Sequence, residues 1–162
     1  MATIDRNTPE GPIMHRYPQW LFTALILLLP LAAMAGQSTR FGDYTVHYNA
    51  VPSSFVEPEV AEAHGLTRSR SVGLLNISVV KKDHDEGGPD KGVSANIEGH
   101  VTNNVQQRRR LSFQRVQEGD AVYYLSQFQF SEGELLIFNI EASPHGQKGT
   151  FPVRFSKELY SD

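Results

Sequence analysis

The chain has 162 residues, no cysteine, and 15 basic against 18 acidic residues, which gives a formal net charge of −3. This balance argues against nucleic-acid binding, which calls for a basic face able to neutralise phosphates. Because no disulfide can form, the hydrophobic core must supply the stability of the fold, and a lipid anchor on a cysteine thiol is excluded.

The first element is an uncharged apolar run, LFTALILLLPLAAMA, at residues 21–35. About 15 residues fall short of the roughly 20 that a membrane-spanning helix needs, and the run ends in the small-x-small pattern AMA. We predict a secretory signal peptide over residues 1–35, cleaved between Ala35 and Gly36, which leaves no stable membrane span after processing. An uncleaved N-terminal anchor is the alternative.

The residues ahead of the apolar run are unusual for a signal peptide. Their two acidic residues cancel their two basic residues, whereas this region is normally net positive. A start at Met14 would leave the positively charged segment MHRYPQW, so Met14 is an alternative initiation site.

Removal of residues 1–35 leaves 127 residues, enough for a single domain over residues 36–162. Seven segments alternate apolar and polar residues with the period of two that is typical of half-buried β-strands. They lie at residues 43–48, 73–82, 92–101, 110–116, 121–130, 134–142 and 150–156. The segment ELLIFNIEA, residues 134–142, is apolar on both faces and therefore predicts a central strand covered on both sides. Pro152 marks the last segment as an edge or bulged strand.

Three glycine-containing connections have the length of hairpin loops. They are QEGD at 117–120, SEGE at 131–134 and SPHGQKG at 143–149. We therefore expect residues 110–156 to form a four-strand antiparallel meander.

The segment EPEVAEAHG, residues 57–65, carries the only helical signal. Pro58 suits a first helical position and Gly65 suits the residue that ends a helix. Seven strands with one short helix predict an all-β fold, an immunoglobulin-like antiparallel β-sandwich. A small barrel is the alternative architecture.

The segment FGDYTVHY, residues 41–48, contains the first candidate for chemistry. The alternation places Asp43 and His47 on the same side of the strand, where a carboxylate could orient an imidazole for catalysis. The alternative is a solvated pair on the outer face of a sheet.

Two groups of arginines form the second candidate. Arg68 and Arg70 follow the predicted helix, and Arg108, Arg109 and Arg110 begin a predicted strand. Together they could contact an anionic ligand; the alternative is a set of solvated basic residues that protect an edge strand from pairing.

The segment KDHDEGGPD, residues 82–90, gathers carboxylates that could bind a divalent cation. It lacks the spacing and the terminal bidentate glutamate of an EF-hand, and the histidines of residues 36–162 have no metal-ligand spacing. We therefore predict no metal site. The chain also lacks a G-x-S-x-G nucleophile motif and a cysteine nucleophile, so we predict no catalytic residues and no cofactor.

Several segments carry a resemblance to a known family. They are the opening FGDYTVHY, the helix segment from Phe55 to Ser69 with GLTRS, the strand GLLNISV and the strand AVYYLSQF. Over roughly residues 38 to 160, the chain resembles the exported bacterial proteins of domain of unknown function 4426. The resemblance implies a periplasmic, Gram-negative setting and provides no catalytic set to transfer.

These observations predict a non-catalytic periplasmic protein, a binding or accessory module of the cell envelope. We expect its partner to be another envelope protein or a small ligand. The alternatives are an enzyme with a pocket near Asp43 and His47, and a protein that binds a divalent cation.

Overall fold

The described residues, 37–83 and 89–161 of a computed structural model, form ten β-strands and one short α-helix. The strands are β1 (Gln37–Phe41), β2 (Tyr44–Pro52), β3 (Val72–Lys81), β4 (Lys91–Gly92), β5 (Ala95–Thr102), β6 (Arg108–Arg110), β7 (Gln114–Glu118), β8 (Ala121–Gln129), β9 (Leu135–Pro144) and β10 (Phe151–Glu158). A 3₁₀ turn, Ser53–Phe55, precedes helix α1, Pro58–Ala63.

The strands form two antiparallel sheets. The first sheet has the order β1-β2-β3-β8-β7, with β4 paired to β3, and the second has the order β10-β9-β5-β6. Buried residues from both sheets belong to one hydrophobic cluster, so the sheets pack face to face as a sandwich. This confirms the predicted all-β antiparallel sandwich with one short helix. Within the described part of the chain, no helix is long and apolar enough to span a membrane.

The proposed signal peptide, its Ala35–Gly36 cleavage site and the alternative start at Met14 lie outside the described residues. They therefore stay predictions from the sequence.

Four aromatic side chains connect the two sheets through the core. The ring of Phe138 in β9 stacks on Phe155 in β10 at 4.7 Å and meets Phe128 in β8 edge-on at 5.1 Å. Phe155 in turn stacks on Tyr48 in β2, with ring centroids 4.6 Å apart. Because β2 and β8 belong to the first sheet and β9 and β10 to the second, this chain of rings holds the layers together.

The predicted meander over residues 110–156 is wrong, although two of its three hairpins are present. β7 and β8 join through Gly119 and Asp120, with Gly119 at a φ of 57°, and β9 pairs with β10 around the 143–149 loop. However, β8 uses its two edges for β3 and β7, so β9 pairs with β5 in the opposite sheet. The SEGE segment, residues 131–134, therefore crosses between the sheets.

The predicted strand at 110–116 is divided by a second crossing. β6 ends at Arg110 in the second sheet, and β7 begins at Gln114 in the first. The backbone N–H of Leu111 donates to the carbonyl of Gly99 at 3.0 Å, and the buried Leu111 then leads the chain across the core.

Strand β9 is central, as its sequence predicts, but it is covered on one face only. Leu136, Phe138, Ile140 and Ala142 are almost fully buried, whereas the opposite face of β9 is half-buried or exposed. Pro152 lies in β10 at the edge of the second sheet, where proline is tolerated.

Helix α1 forms within the predicted segment 57–65. Pro58 occupies its first turn, and the helix ends where Gly65 adopts a φ of 64°. The backbone N–H of Leu66 then donates to the carbonyl of Ala61 at 2.8 Å, the hydrogen bond that typically follows a left-handed glycine at a helix end.

One buried hydrogen bond joins the sheets. The backbone N–H of Ala95 in β5 donates to the hydroxyl of Tyr124 in β8 at 2.7 Å. Its register partner is Pro144, and the bond to Tyr124 satisfies a buried backbone donor at the start of β5.

We predict that Ile77→Ala destabilises the protein by about 2 to 5 kcal/mol, because Ile77 is fully buried on the inner face of β3. Ser78→Ala should change the free energy of unfolding by less than about 0.5 kcal/mol, since Ser78 is half-buried on the opposite face. Urea denaturation measures both variants, and equal losses would contradict this assignment of faces.

We also predict that Tyr124→Phe destabilises the protein by about 1 to 3 kcal/mol, because the Ala95 N–H loses its acceptor without a change in shape. Tyr123→Phe is the matched control, since Tyr123 is half-buried on the opposite face of β8. A cost for Tyr123→Phe as large as that for Tyr124→Phe would show that the loss does not come from the Ala95 bond.

Candidate functional site

The three arginines of strand β6 lie on two different faces of the second sheet. Arg109 pairs with Val101, which is fully buried on the inner face of β5. Since side chains alternate along a strand, Arg108 and Arg110 point to the outer face, where both are exposed. The arginine triplet of the sequence is therefore not one basic patch.

On the outer face, a row of polar side chains crosses all four strands. Arg110, His100, Asn139 and Arg154 are successive register partners in β6, β5, β9 and β10. Strands lie about 4.8 Å apart, so this row extends over about 14 Å. Together with Arg108, these residues line a groove of about 810 Å³, and we name this set of five residues the basic shelf.

His100 is half-buried at the centre of the basic shelf. Its Nδ1 lies 3.1 Å from the Nη2 of Arg108, and since a guanidinium can only donate, Nδ1 acts as the acceptor. Burial, followed by the positive charge of Arg108, lowers the pKa of His100 below its usual value, against an opposing effect of Glu141. His100 is therefore neutral at pH 7, with its proton on Nε2.

The other end of the groove is acidic. Glu98 in β5 pairs directly with Glu141 in β9, and Pro152 in β10 completes this row. Like charges directly opposite each other in a sheet are destabilising, so the Glu98–Glu141 pair lowers the stability of the folded protein. The groove thus runs from three arginines to two glutamates.

This arrangement is suited to binding an oxyanion. Each guanidinium presents a planar fork of N–H donors that matches a carboxylate, phosphate or sulfate. None of the shelf arginines forms an ion pair with a described residue. An ion pair lies elsewhere, between Lys91 and Asp83. The donors of Arg110 and Arg154 therefore face the groove without a carboxylate partner among the described residues.

The structure places Asp43 and His47 outside this groove. Asp43 lies in the turn between β1 and β2, and its carbonyl accepts from the backbone N–H of Lys82 at 2.8 Å. His47 is exposed on the outer face of β2. The extended backbone from Tyr44 to His47 spans about 10 Å, so the two residues occupy different positions along the strand. Neither residue lines the groove of the basic shelf.

Arg68 and Arg70 lie in the loop between α1 and β3 and do not line the basic shelf. The guanidinium of Arg68 donates to the carbonyl of Ser54 at 3.0 Å, which ties the loop to the 3₁₀ turn. Arg70 lies near Glu132, whose pKa is lowered chiefly by hydrogen bonds from Ser161. The two arginine groups of the sequence are therefore separate.

Only the ends of the acidic segment 82–90 are described, since residues 84–88 lie outside the described part. The ammonium of Lys91 forms an ion pair of 2.7 Å with the carboxylate of Asp83. The hydrogen bond that it donates to Asp83 raises the pKa of Lys91. Among residues 37–83 and 89–161, no group of three or more acidic or histidine side chains could hold a metal ion.

Arg154, His100 and Asn139 are shelf residues that sequence reasoning did not single out. Arg154 and Pro152 share the outer face of β10, and a period of two in PVRFS indicates this. Arg154 lies on the same sheet as Arg108 and Arg110 because β9 pairs with β5. The predicted meander had paired β9 with β8 instead.

Comparison with solved structures first identifies a relative with this fold. A crystal structure of a DUF4426 family protein from Pseudomonas aeruginosa PAO1 matches with a TM-score of 0.67 and 37% sequence identity, over 78% of this chain and 96% of that chain. No curated protein matches the chain significantly.

FetP from uropathogenic Escherichia coli shares the fold at 12% identity. A copper-bound variant matches with a TM-score of 0.55 over 78% of this chain and 95% of FetP. FetP expressed recombinantly in the periplasm matches with a TM-score of 0.50 over 78% and 93%. At this identity the likeness shows the fold alone.

The family model described as domain of unknown function (DUF4426) matches residues 38–162, which include every described strand from β2 to β10. With the 37% identical relative, this match shows the family. The chain belongs to the DUF4426 family.

Proposed function

We propose that this protein is a non-catalytic binding module of the periplasm, and that its ligand presents an oxyanion to the basic shelf. One observation carries the proposal: Arg108, Arg110 and Arg154, from the two edge strands of the second sheet, line one groove around the neutral His100. Oxyanion here means the shared chemistry of carboxylate, phosphate and sulfate groups.

The size of the groove favours a small ligand over another envelope protein. Its volume of about 810 Å³ lies within the range of about 300 to 1,000 Å³ that is usual for small-molecule sites. The acidic end at Glu98 and Glu141 would repel a second anionic group and would accept hydrogen bonds from hydroxyl or amino groups of the ligand. The ligand we expect therefore carries its anionic group at one end.

The chemistry of the lining supports a binding role rather than catalysis. The groove has no serine, threonine, cysteine or lysine among its lining residues, which leaves only Glu98, Glu141 and His100 as side chains that could act as nucleophiles. The Nδ1 of His100, the basic atom of the neutral ring, already accepts from Arg108. A general base at this position would have to lose that hydrogen bond first.

The periplasmic setting is supported by the apolar run at residues 21–35, which has the length and ending of a signal peptide. The FetP preparation with this fold was expressed in the periplasm of Escherichia coli. Localisation of a tagged full-length precursor after osmotic shock tests this part of the proposal; retention with the cytoplasmic fraction would contradict it.

We predict that sulfate binds the protein and that Arg154→Ala weakens this binding about tenfold or more, because charge-assisted hydrogen bonds contribute about 1.5 to 3 kcal/mol each. Isothermal titration calorimetry at constant ionic strength measures the dissociation constant. Sulfate serves as the probe since its charge does not change between pH 5 and pH 8.

Lys157→Ala is the matched control, because Lys157 is an exposed cation on the same strand that does not line the groove. Glu141→Gln should act in the opposite direction and strengthen sulfate binding, since it removes a negative charge from the lining. An equal loss in Lys157→Ala and Arg154→Ala would contradict a defined site.

We also predict that sulfate binds more tightly as the pH falls from 7.5 to 5. His100 is neutral at pH 7 because its pKa is lowered by burial and by Arg108, and acidification adds a positive charge between Arg108, Arg110 and Glu141. A unit charge about 6 Å from the doubly charged sulfate contributes about 1.4 kcal/mol in water, or about tenfold in affinity before screening by salt. Protonation of Nδ1 also releases the Arg108 guanidinium toward the groove.

His100→Gln tests this pH dependence, because glutamine can accept from Arg108 but does not titrate. Its sulfate affinity should vary by less than the wild-type affinity over the same pH range. An identical slope in the variant would show that another group is responsible.

A further inference from the structure

The inner face of β6 holds an unusual basic residue. Arg109 projects toward the core beside the fully buried Val101, whereas its neighbours in β6 face solvent. Its Nε is buried and has no hydrogen-bond partner among the described residues. Arg109 as a whole is half-buried, but a buried N–H donor without an acceptor is costly, so its Nε requires an explanation.

A cavity lies directly beside Arg109. It has a volume of about 330 Å³ and is distinct from the groove of the basic shelf, although Arg110 contributes to both walls. Its lining is mixed: four residues are apolar (Val72, Val101, Leu111 and Phe128) and five are polar or charged (Thr67, Arg109, Arg110, Gln127 and Gln129). We name this space the edge cavity.

The edge cavity exists because β7 is shorter than its neighbour β8. β7 pairs with Ala121 to Leu125, and it leaves the segment Ser126–Gln129 of β8 without a strand on that side among the described residues. The connection from β6 in the second sheet to β7 in the first, residues 111–113, does not extend β7 along this part of β8. The gap therefore opens between the end of β8 and the inner face of β6.

Among the buried side-chain polar atoms of this lining, the Nε of Arg109 is the one without a partner in the described part of the chain. Gln127 accepts from the backbone N–H of Thr67 at 3.1 Å and donates to the carbonyl of Thr67 at 2.7 Å. The ring of Phe128 packs directly against Gly73, where a side-chain carbon would overlap it. The remaining unpartnered buried donor of this lining belongs to Arg109.

We propose that the edge cavity binds a monocarboxylate with a short apolar body. The carboxylate pairs with the Arg109 guanidinium, and the apolar body packs against Leu111 and Phe128 on the core side of the cavity. A planar carboxylate matches the guanidinium fork and carries a single charge into a partly apolar space. The volume, close to the lower end of small-molecule sites, limits the ligand to a short chain.

This ligand site differs from the oxyanion site proposed above, although Arg110 borders both. Arg108, Arg154 and His100 do not line the edge cavity, and Arg109 does not line the groove of the basic shelf. An inward-pointing charge can also protect a short edge strand from pairing with another chain. The experiment below separates this purely protective role from ligand binding.

The test compares three probes that share parts of one structure. Hexanoate has the carboxylate and the apolar body, hexanol lacks the carboxylate, and acetate lacks the apolar body. We expect hexanoate to shift the methyl resonances of Val72, Val101 and Leu111 in the purified protein and to raise its Tm. Hexanol and acetate at the same concentration should do neither; equal effects of hexanol would overturn the proposal.

Arg109→Met removes the charge and keeps a long unbranched side chain. We expect it to weaken hexanoate binding at least tenfold without lowering the Tm, because the buried Nε of Arg109 has no hydrogen bond to lose among the described residues. Arg109→Lys should retain part of the binding. Sulfate binding to the basic shelf should be unchanged in Arg109→Met, so the two sites fail or succeed separately.

Arg154→Ala is the matched control and should bind hexanoate as the wild type does. Hexanoate binding that survives Arg109→Met would overturn the proposal. An absence of hexanoate binding in the wild type, with increased aggregation of Arg109→Met, would assign Arg109 to edge protection alone.

Discussion

The contact on which the rest of this fold depends is the packing of Phe138 between the two sheets. Its ring touches Phe155 and Phe128 at centroid distances of 4.7 and 5.1 Å, and it is fully buried. With no cysteine in the chain, this burial of apolar and aromatic surface replaces the disulfide that joins the sheets in many exported sandwiches. It fixes the distance and the register of the layers, and so fixes the outer face of the second sheet on which the arginines lie.

The two sheets differ in how their outer faces are covered. On the first sheet, Val72 and Leu74 are buried on the face opposite to the core, and the loop after α1 is bound to the same face through Thr67 and Gln127. The Nε2 of His64, the residue that follows helix α1, lies 3.4 Å from a carboxylate oxygen of Glu118 in β7. The outer face of the second sheet instead presents charged side chains around a groove. Among residues 37–83 and 89–161, no segment has to be displaced for a ligand to reach the groove on the second sheet.

The sequence predicts the parts of this fold that depend on local pattern, and it fails where pairing between distant segments decides. Alternation identifies the inner faces, Gly119 identifies a hairpin turn, and Pro58 and Gly65 identify the ends of the helix. No local pattern distinguishes a hairpin from a crossing between sheets, because the glycine-containing loops at 117–120 and 131–134 have similar composition. The same limit applies to the site. Arg108 and Arg110 stand out in the sequence as part of an arginine triplet, whereas Arg154 joins them in one groove only through the pairing of β9 with β5 and β10.

The alternation within β6 has a consequence for how the two proposed sites interact. Arg109 and Arg110 are adjacent in sequence, yet they face opposite sides of one sheet, a separation on the order of 10 Å between the anions they would bind. In water two unit charges at that distance repel by about 0.4 kcal/mol, less than a twofold change in affinity, and salt reduces this further. The lower dielectric of the sheet between them increases the repulsion, but the intervening guanidinium charges oppose it. A three-residue strand can thus serve two ligands with little competition, provided that neither moves the backbone of β6, which its hydrogen bonds to β5 hold in register.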